Sequence, residues 1–209
     1  MLRPNRPVKP DPNSEPQAPA GERASQALDA IRHLVWSGFH DADEVVEIVT
    51  EELFQPDELD VDRAQARVDA ERERKAQAER RWPETTDCDR LDRAFDALDA
   101  AGILALHDAG YTQSDGIEDV TEAWHQLGAK DSPVEGCCFY TGQDLECAVD
   151  GGGLMLTFGH ILGDDARGVR VGERIVQALA EQGLRAVWPG TIDQRIDPPE
   201  LVWQRRGPG

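Results

Sequence analysis

The chain of 209 residues carries 41 acidic side chains against 22 Lys and Arg, for a formal net charge of -19, and is 39% hydrophobic and 30% charged. That charge opposes binding to nucleic acid or to an anionic membrane surface, and no apolar run is long enough to cross a bilayer. Length and composition suit one α+β domain with a helical extension and no internal repeat.

Residues 1–22 hold Pro4, Pro7, Pro10, Pro12, Pro16 and Pro19 and almost no large apolar side chain. Such a stretch cannot offset the entropy of ordering, so a disordered tail is expected there, and it lacks the apolar core of a signal peptide. Ser25 is the expected N-cap of a first helix with Leu28, Ile31, Leu34 and Val35 on one face and Gly38 at its end. A second helix is expected from Asp43 to Phe54, stopped by Pro56. The stretch from Asp41 to Asp60 bears Asp41, Asp43, Glu44, Glu47, Glu51, Glu52, Asp57, Glu58 and Asp60 with no Lys or Arg. It offers a surface for a basic protein partner. From Val61 to Arg81 a long charged helix has only a thin stripe, Val61, Ala64 and Val68, which suits a helix that projects into solvent or bridges two parts of the fold. Residues 23–83 thus form a charged helical region ahead of an α+β domain over 84–206.

Beyond the Trp82-Pro83 boundary the pattern alternates. Thr86 or Asp87 caps a helix through Leu91, Phe95 and Leu98. Ile103 to His107 reads as a strand, and Asp115 with Glu118 as a capping box for a helix through Val120, Trp124 and Leu127. Val134 to Tyr140 is a second strand, Gln143 to Val149 a short helix, and Leu154 to Phe158 a third strand entered by the Gly151–Gly153 turn. Asp164 or Asp165 opens a helix ended by Gly183. Arg185 to Trp188 and Leu201 to Gln204 read as a closing hairpin, with Trp188 and Trp203 facing each other. The predicted fold is α+β: a mixed sheet of four to five strands covered by helices, preceded by a helical arm and a disordered tail. Helix-linked strands are expected to be parallel neighbours.

The strings Gly110-Tyr-Thr-Gln-Ser-Asp-Gly116, Cys138-Phe-Tyr-Thr-Gly-Gln-Asp-Leu-Glu146, Gly151-Gly-Gly-Leu-Met-Leu-Thr-Phe-Gly159 and Trp188-Pro-Gly-Thr-Ile192 resemble those of a bacterial domain-of-unknown-function family over roughly residues 25–206. The resemblance implies a bacterial cytoplasmic protein and carries no activity with it.

In open α/β sheets ligands collect beyond the carboxyl ends of strands. That rule selects His107, Asp108, Tyr111, Gln113 and Ser114 after the first strand, Tyr140, Gln143 and Asp144 after the second, and His160 after the third. Together they would supply general acid and base groups; individually many are turn formers and caps. The four cysteines, Cys88, Cys137, Cys138 and Cys147, form no CxxC pair or disulfide framework, which fits a reducing cytoplasm. No metal or cofactor is called for: His and Cys lack ligand spacing, the glycine triplet precedes a strand, and Gly168-Val-Arg-Val-Gly172 lies in a helix without a third glycine. The sequence therefore points to an uncharacterised, non-catalytic binding or regulatory protein with an acidic interaction surface. The alternatives are a small-molecule enzyme or ligand-binding module at the strand ends, and an immunity protein for a basic toxin.

Overall fold

The computed structural model describes residues 20–54 and 60–208. The expected disorder of residues 1–22 falls mainly outside them; residues 20–22 begin the first helix, α1 (Ala20–Ser37), so Ser25 lies inside it and is not its cap. Asp41 caps α2 (Ala42–Glu47) in a reciprocal box with Glu44, and the chain continues as a π-helical turn over Ile48–Leu53. Asp60 caps α3 (Val61–Glu79).

These three helices bury one apolar cluster of Ala27, Ile31, Val35, Val45, Val49, Ala64 and Val68. α3 neither projects nor bridges as its polarity suggests; it lies against α1 and α2. Its buried face continues past Val68 through Glu71 and Lys75. Both polar groups are matched to the end of α1. Glu71 accepts a hydrogen bond from the Trp36 indole at 3.0 Å and pairs with Arg67 at 2.9 Å and Arg74 at 2.8 Å. Lys75 donates to the Val35 carbonyl at 3.0 Å, one of the acceptors a helix C-terminus leaves open. Burial pulls the Lys75 ammonium down from 10.5 to about 8, against the attraction of Glu79.

α4 (Asp87–Ala100), boxed by Thr86 and Asp89, leads into β1 (Ile103–Leu106). α5 (Gln113–Gln126) connects β1 to β2 (Gly136–Phe139), α6 (Gly142–Val149) connects β2 to β3 (Thr157–His160), and α7 (Asp165–Glu181) follows. Thr112, not Asp115, caps α5; Asp115 is the third helical residue and returns the bond to Thr112.

The sheet has three strands in the order β1-β2-β3, with β1 and β2 parallel and β2 and β3 antiparallel. The fold is α+β, and the expected four to five strands are reduced to three. Of the expected hairpin, the first limb contributes one isolated bridge, Val187 to Asp197. The adjacent Pro198 and Pro199 have no amide to donate to a ladder, and Leu201–Gln204 runs instead along α4, where Val202 and Gln204 donate to Asp87 and to the Cys88 sulfur. Trp188 and Trp203 are accordingly not partners: Trp188 meets Phe158 edge-on, and Trp203 meets Tyr140.

Strand alternation sorts the core. Ile103, Ala105, Cys138 and Tyr140 face a cluster shared with α4, α6 and α7, while Leu104 and Phe139 face Val120 of α5. No helix of the described residues is long and apolar enough to cross a membrane.

Removing the Glu71 carboxylate strands the Trp36 indole and leaves two guanidinium groups without their buried acceptor. Glu71→Ala is expected to lower the unfolding free energy by roughly 2–4 kcal/mol, less than for a fully buried pair because Arg67 and Arg74 reach solvent. Exposed Glu73→Ala, on the same helix, should stay within about 0.5 kcal/mol of the parent. Urea midpoints measure both, and equal losses would contradict the buried role of Glu71.

Candidate functional site

β1 and β2 run parallel, so the segments that follow them emerge at one end of the sheet and continue to pair. The Ala109 amide donates to the Tyr140 carbonyl at 2.9 Å, Gly142 to Gly110 at 2.9 Å, and Gln143 to Tyr111 at 3.2 Å. Asp119 of α5 holds the first loop by accepting from the Gly110 amide at 2.7 Å. Within it Asp108 sits in the left-handed region at φ 49, a conformation Asp tolerates better than most residues. A Cβ at Gly142 would stand 2.9 Å from the Tyr111 ring, so glycine there lets the ring lie against the start of α6.

α1 crosses this end of the sheet beside α6. Arg32 pairs with Asp150, and His33 reaches Asp150 at 3.2 Å and Glu146 at 3.9 Å. Between α1, the π-turn and the two post-strand loops lies a cleft of about 880 Å³. Its ionisable groups are Asp29, His33, Asp108, Tyr111 and Glu146, beside the neutral Gln26 and Ser37; its apolar wall includes Leu34, Ile48, Phe54 and Leu145. Tyr111 donates to Glu146 at 3.2 Å. Burial pushes the Asp108 carboxyl above its usual range, opposed by His40 and reinforced by the Glu146 charge. Burial and Glu146 likewise raise the Tyr111 phenol.

Of the nine residues selected from sequence, Asp108 and Tyr111 line this cleft. His107 and Tyr140 meet each other in the interior instead, Nδ1 to hydroxyl at 2.9 Å. Gln143 is exposed in the first turn of α6, and Gln113 and Ser114 are exposed in the first turn of α5. Asp144 is consumed by the Thr141 cap and by Arg195. His160 is at the other end of the sheet: β3 is antiparallel, so His160 pairs with Gly136, the first residue of β2. The expectation that all three post-strand segments share a rim therefore fails for the third. Sequence reasoning missed Asp29, His33 and Glu146. Gln26, Asp29, Ala30, His33, Leu34 and Ser37 recur at helical spacing, so one face of α1 was readable, but not what it would face.

A family model described as Domain of unknown function (DUF6891) matches residues 21–207. The chain belongs to that family. The match takes in every element of this DUF6891 fold and both walls of the cleft. Comparison with curated proteins and with solved structures returned no match.

In the DUF6891 chain Cys88 and Cys138 are buried, Cys137 is half-buried and Cys147 is exposed. All four cysteines are free, and burial holds Cys88 up at about 12, Cys137 at about 11 and Cys138 well above the usual 9.0. Among the described residues no three His, Cys, Asp or Glu side chains are grouped to hold a metal ion. His107 is stacked on Phe95 with ring centroids 4.5 Å apart, and its Nε2 lies 3.3 Å from Asp92. Burial, then the Arg205 charge, depress it from 6.5 to about 4, against Asp92 and Asp96. The neutral ring fits the network when Nε2–H donates to Asp92 and Nδ1 accepts the Tyr140 hydroxyl proton.

Between about pH 4 and 6.5 the unfolded chain binds a proton at His107 that the folded chain does not. Its contribution to stability is therefore full above pH 6.5 and is lost as pH falls through about 4, to an extent of roughly 3 kcal/mol. His107→Gln should flatten the acid side of the stability curve relative to the parent. Urea midpoints of both proteins across that interval measure it; parallel curves would show that His107 does not titrate in this way.

Proposed function

We propose that this protein is a ligand-binding protein whose cleft takes a small organic cation with an apolar group attached. The observation that carries this reading is the convergence of Asp29, Asp108 and Glu146 on an 880 Å³ cleft that has an apolar wall and, among its described lining residues, no Lys or Arg. That volume is within the range of small-molecule sites. A carboxylate pair in a partly dry cleft favours an ammonium by charge-assisted hydrogen bonds of about 1.5–3 kcal/mol each. The half-exposed Tyr111 ring offers a face for cation–π contact, and Leu34, Ile48, Phe54 and Leu145 take the hydrocarbon part. No reaction is assigned, because His107 and Tyr140 satisfy one another away from the cleft. Four free thiols support a reducing cytoplasm as its home.

Benzylammonium and its neutral counterpart benzyl alcohol test the reading by amide chemical shifts on the full chain. Benzylammonium should saturate at Gly110, Tyr111, Gly142 and Glu146, with the alcohol far weaker. Asp108→Asn, which keeps the left-handed backbone accessible, and Glu146→Gln should each weaken the ammonium by about tenfold. Equal binding of the two probes, or shifts elsewhere, would overturn it.

A second reading concerns a basic protein partner at the acidic stretch. Asp41, Asp43, Glu44, Glu47, Glu51, Glu52 and Asp60 are all exposed and lie beside the cleft; Asp57 and Glu58 fall outside the described residues. A lysine oligomer should bind at low salt, weaken steeply toward physiological ionic strength, and lose affinity when Glu47, Glu51 and Glu52 are replaced by Lys. Salt-independent binding would exclude this surface.

A further inference from the structure

At the end of the sheet away from the first cleft the charge reverses. His160 closes β3, and Arg167, Arg170 and Arg174 project from α7 at intervals of one turn, around a cleft of about 300 Å³ also lined by Glu135 and Val171. The groups are arranged rather than scattered. The Asp164 amide donates to His160 Nδ1 at 3.3 Å. Nε2 of the same ring stands 3.4 Å from Nη1 of Arg167. The imidazole edge and the Arg167 guanidinium are thus brought together at the cleft, within hydrogen-bond reach of each other. Arg174 is held in place by Glu135 at 3.2 Å and by the Ala101 carbonyl. Arg170 extends from the turn between them.

Two carboxylates stand near these cations, and Glu135 is part of the cleft lining itself. Asp164 accepts from the Arg167 amide at 2.8 Å as the cap of α7, and Glu135 is bound to Arg174. A planar guanidinium fork matches the tetrahedral oxygens of phosphate better than an ammonium does. In a chain of net charge -19 the long-range field repels anions, so affinity must come from close contacts; Arg167 and Arg170 supply them on one face, while Arg174 is balanced by Glu135.

We propose that the cleft formed by His160, Arg167, Arg170 and Arg174 is a second binding site, for a phosphate group carried by a small molecule. It is independent of the cation cleft, from which the length of the sheet separates it.

The test uses the full chain labelled for amide and guanidinium resonances, titrated with inorganic phosphate, with phenyl phosphate, and with sodium chloride at matched ionic strength. Saturable shifts confined to His160, Asp164, Arg167 and Arg170 are expected with both phosphates and not with chloride. Tighter binding of phenyl phosphate would assign the site to a phosphate ester, and equal binding to phosphate itself; either result supports the site. Arg167→Gln and Arg170→Gln should each weaken binding by about tenfold. Arg185→Gln, whose parent side chain pairs with Glu200 on the surface, should leave it unchanged. Shifts that rise linearly and equally with phosphate and chloride, or unchanged affinity in folded Arg167→Gln and Arg170→Gln, would overturn the proposal.

Discussion

Arg205 ties the N-terminal helices to the sheet. Its guanidinium makes a two-pronged bond to Asp92 of α4 and lies over the Phe39 ring, 4.5 Å from its centroid. The same cation faces the buried His107–Tyr140 pair and helps to keep His107 uncharged. Trp203, two residues earlier, donates to the Ser37 carbonyl at the end of α1. Gly38 is at φ 81, and a Cβ there would sit 2.6 Å from the Arg205 carbonyl oxygen, so the backbone crossing needs glycine on the α1 side. A buried cation is costly without partners, and here the Asp92 carboxylate and the faces of Phe39 and Trp203 offset that cost, while Nε stays without an acceptor. The clasp holds the C-terminal end of α1, the helix that supplies one wall of the cleft.

The cleft gathers its polar groups from separate parts of the chain: Asp29 and His33 from α1, Asp108 and Tyr111 from the loop after β1, and Glu146 from α6. Three carboxylates around it are engaged elsewhere. Asp144 is bound by Thr141 and Arg195, Asp119 by the Gly110 amide, and Asp150 by Arg32, whose hydrogen bond, helped by His33, keeps that carboxyl below its usual range. Of the cleft's own carboxylates, Glu146 accepts from Tyr111, and Asp108 occupies an unusual backbone conformation. Strain of this kind persists where the surrounding structure holds it, and it fits a residue placed for contact.

The two ends of the sheet thus have opposite electrical character. One presents acids beneath α1; the other presents the arginines of α7. The antiparallel turn of β3 produces this division. Had β3 run parallel to β2, His160 would have joined the acidic rim, and α7 would have begun there with it.

Element identity was largely legible because it rests on local rules. Apolar periodicity marked α1 to α7, and the cap at Thr86 was readable from its own residues. The alternation that sends Cys137 and Cys138 to opposite faces follows from strand geometry alone. What failed in the sequence reading depended on distant partners. The limb at Leu201–Gln204 has strand composition, yet α4 offers it Asp87 and Cys88, and Pro198 and Pro199 prevent a ladder. Glu71 and Lys75 look solvated until the end of α1 supplies their partners. His107 and Tyr140 were rightly placed after their strands, but their side chains turn inward to each other. The sequence by itself determined the helices, the caps of α4 and α7 to within two adjacent residues, two of the cleft residues and the acidic charge, since these follow from spacing and residue chemistry within a few turns of chain. Only the tertiary structure decided the direction of β3 and the company kept by Asp29, His33 and Glu146, because both depend on where α1 and the C-terminal segment come to rest against the sheet.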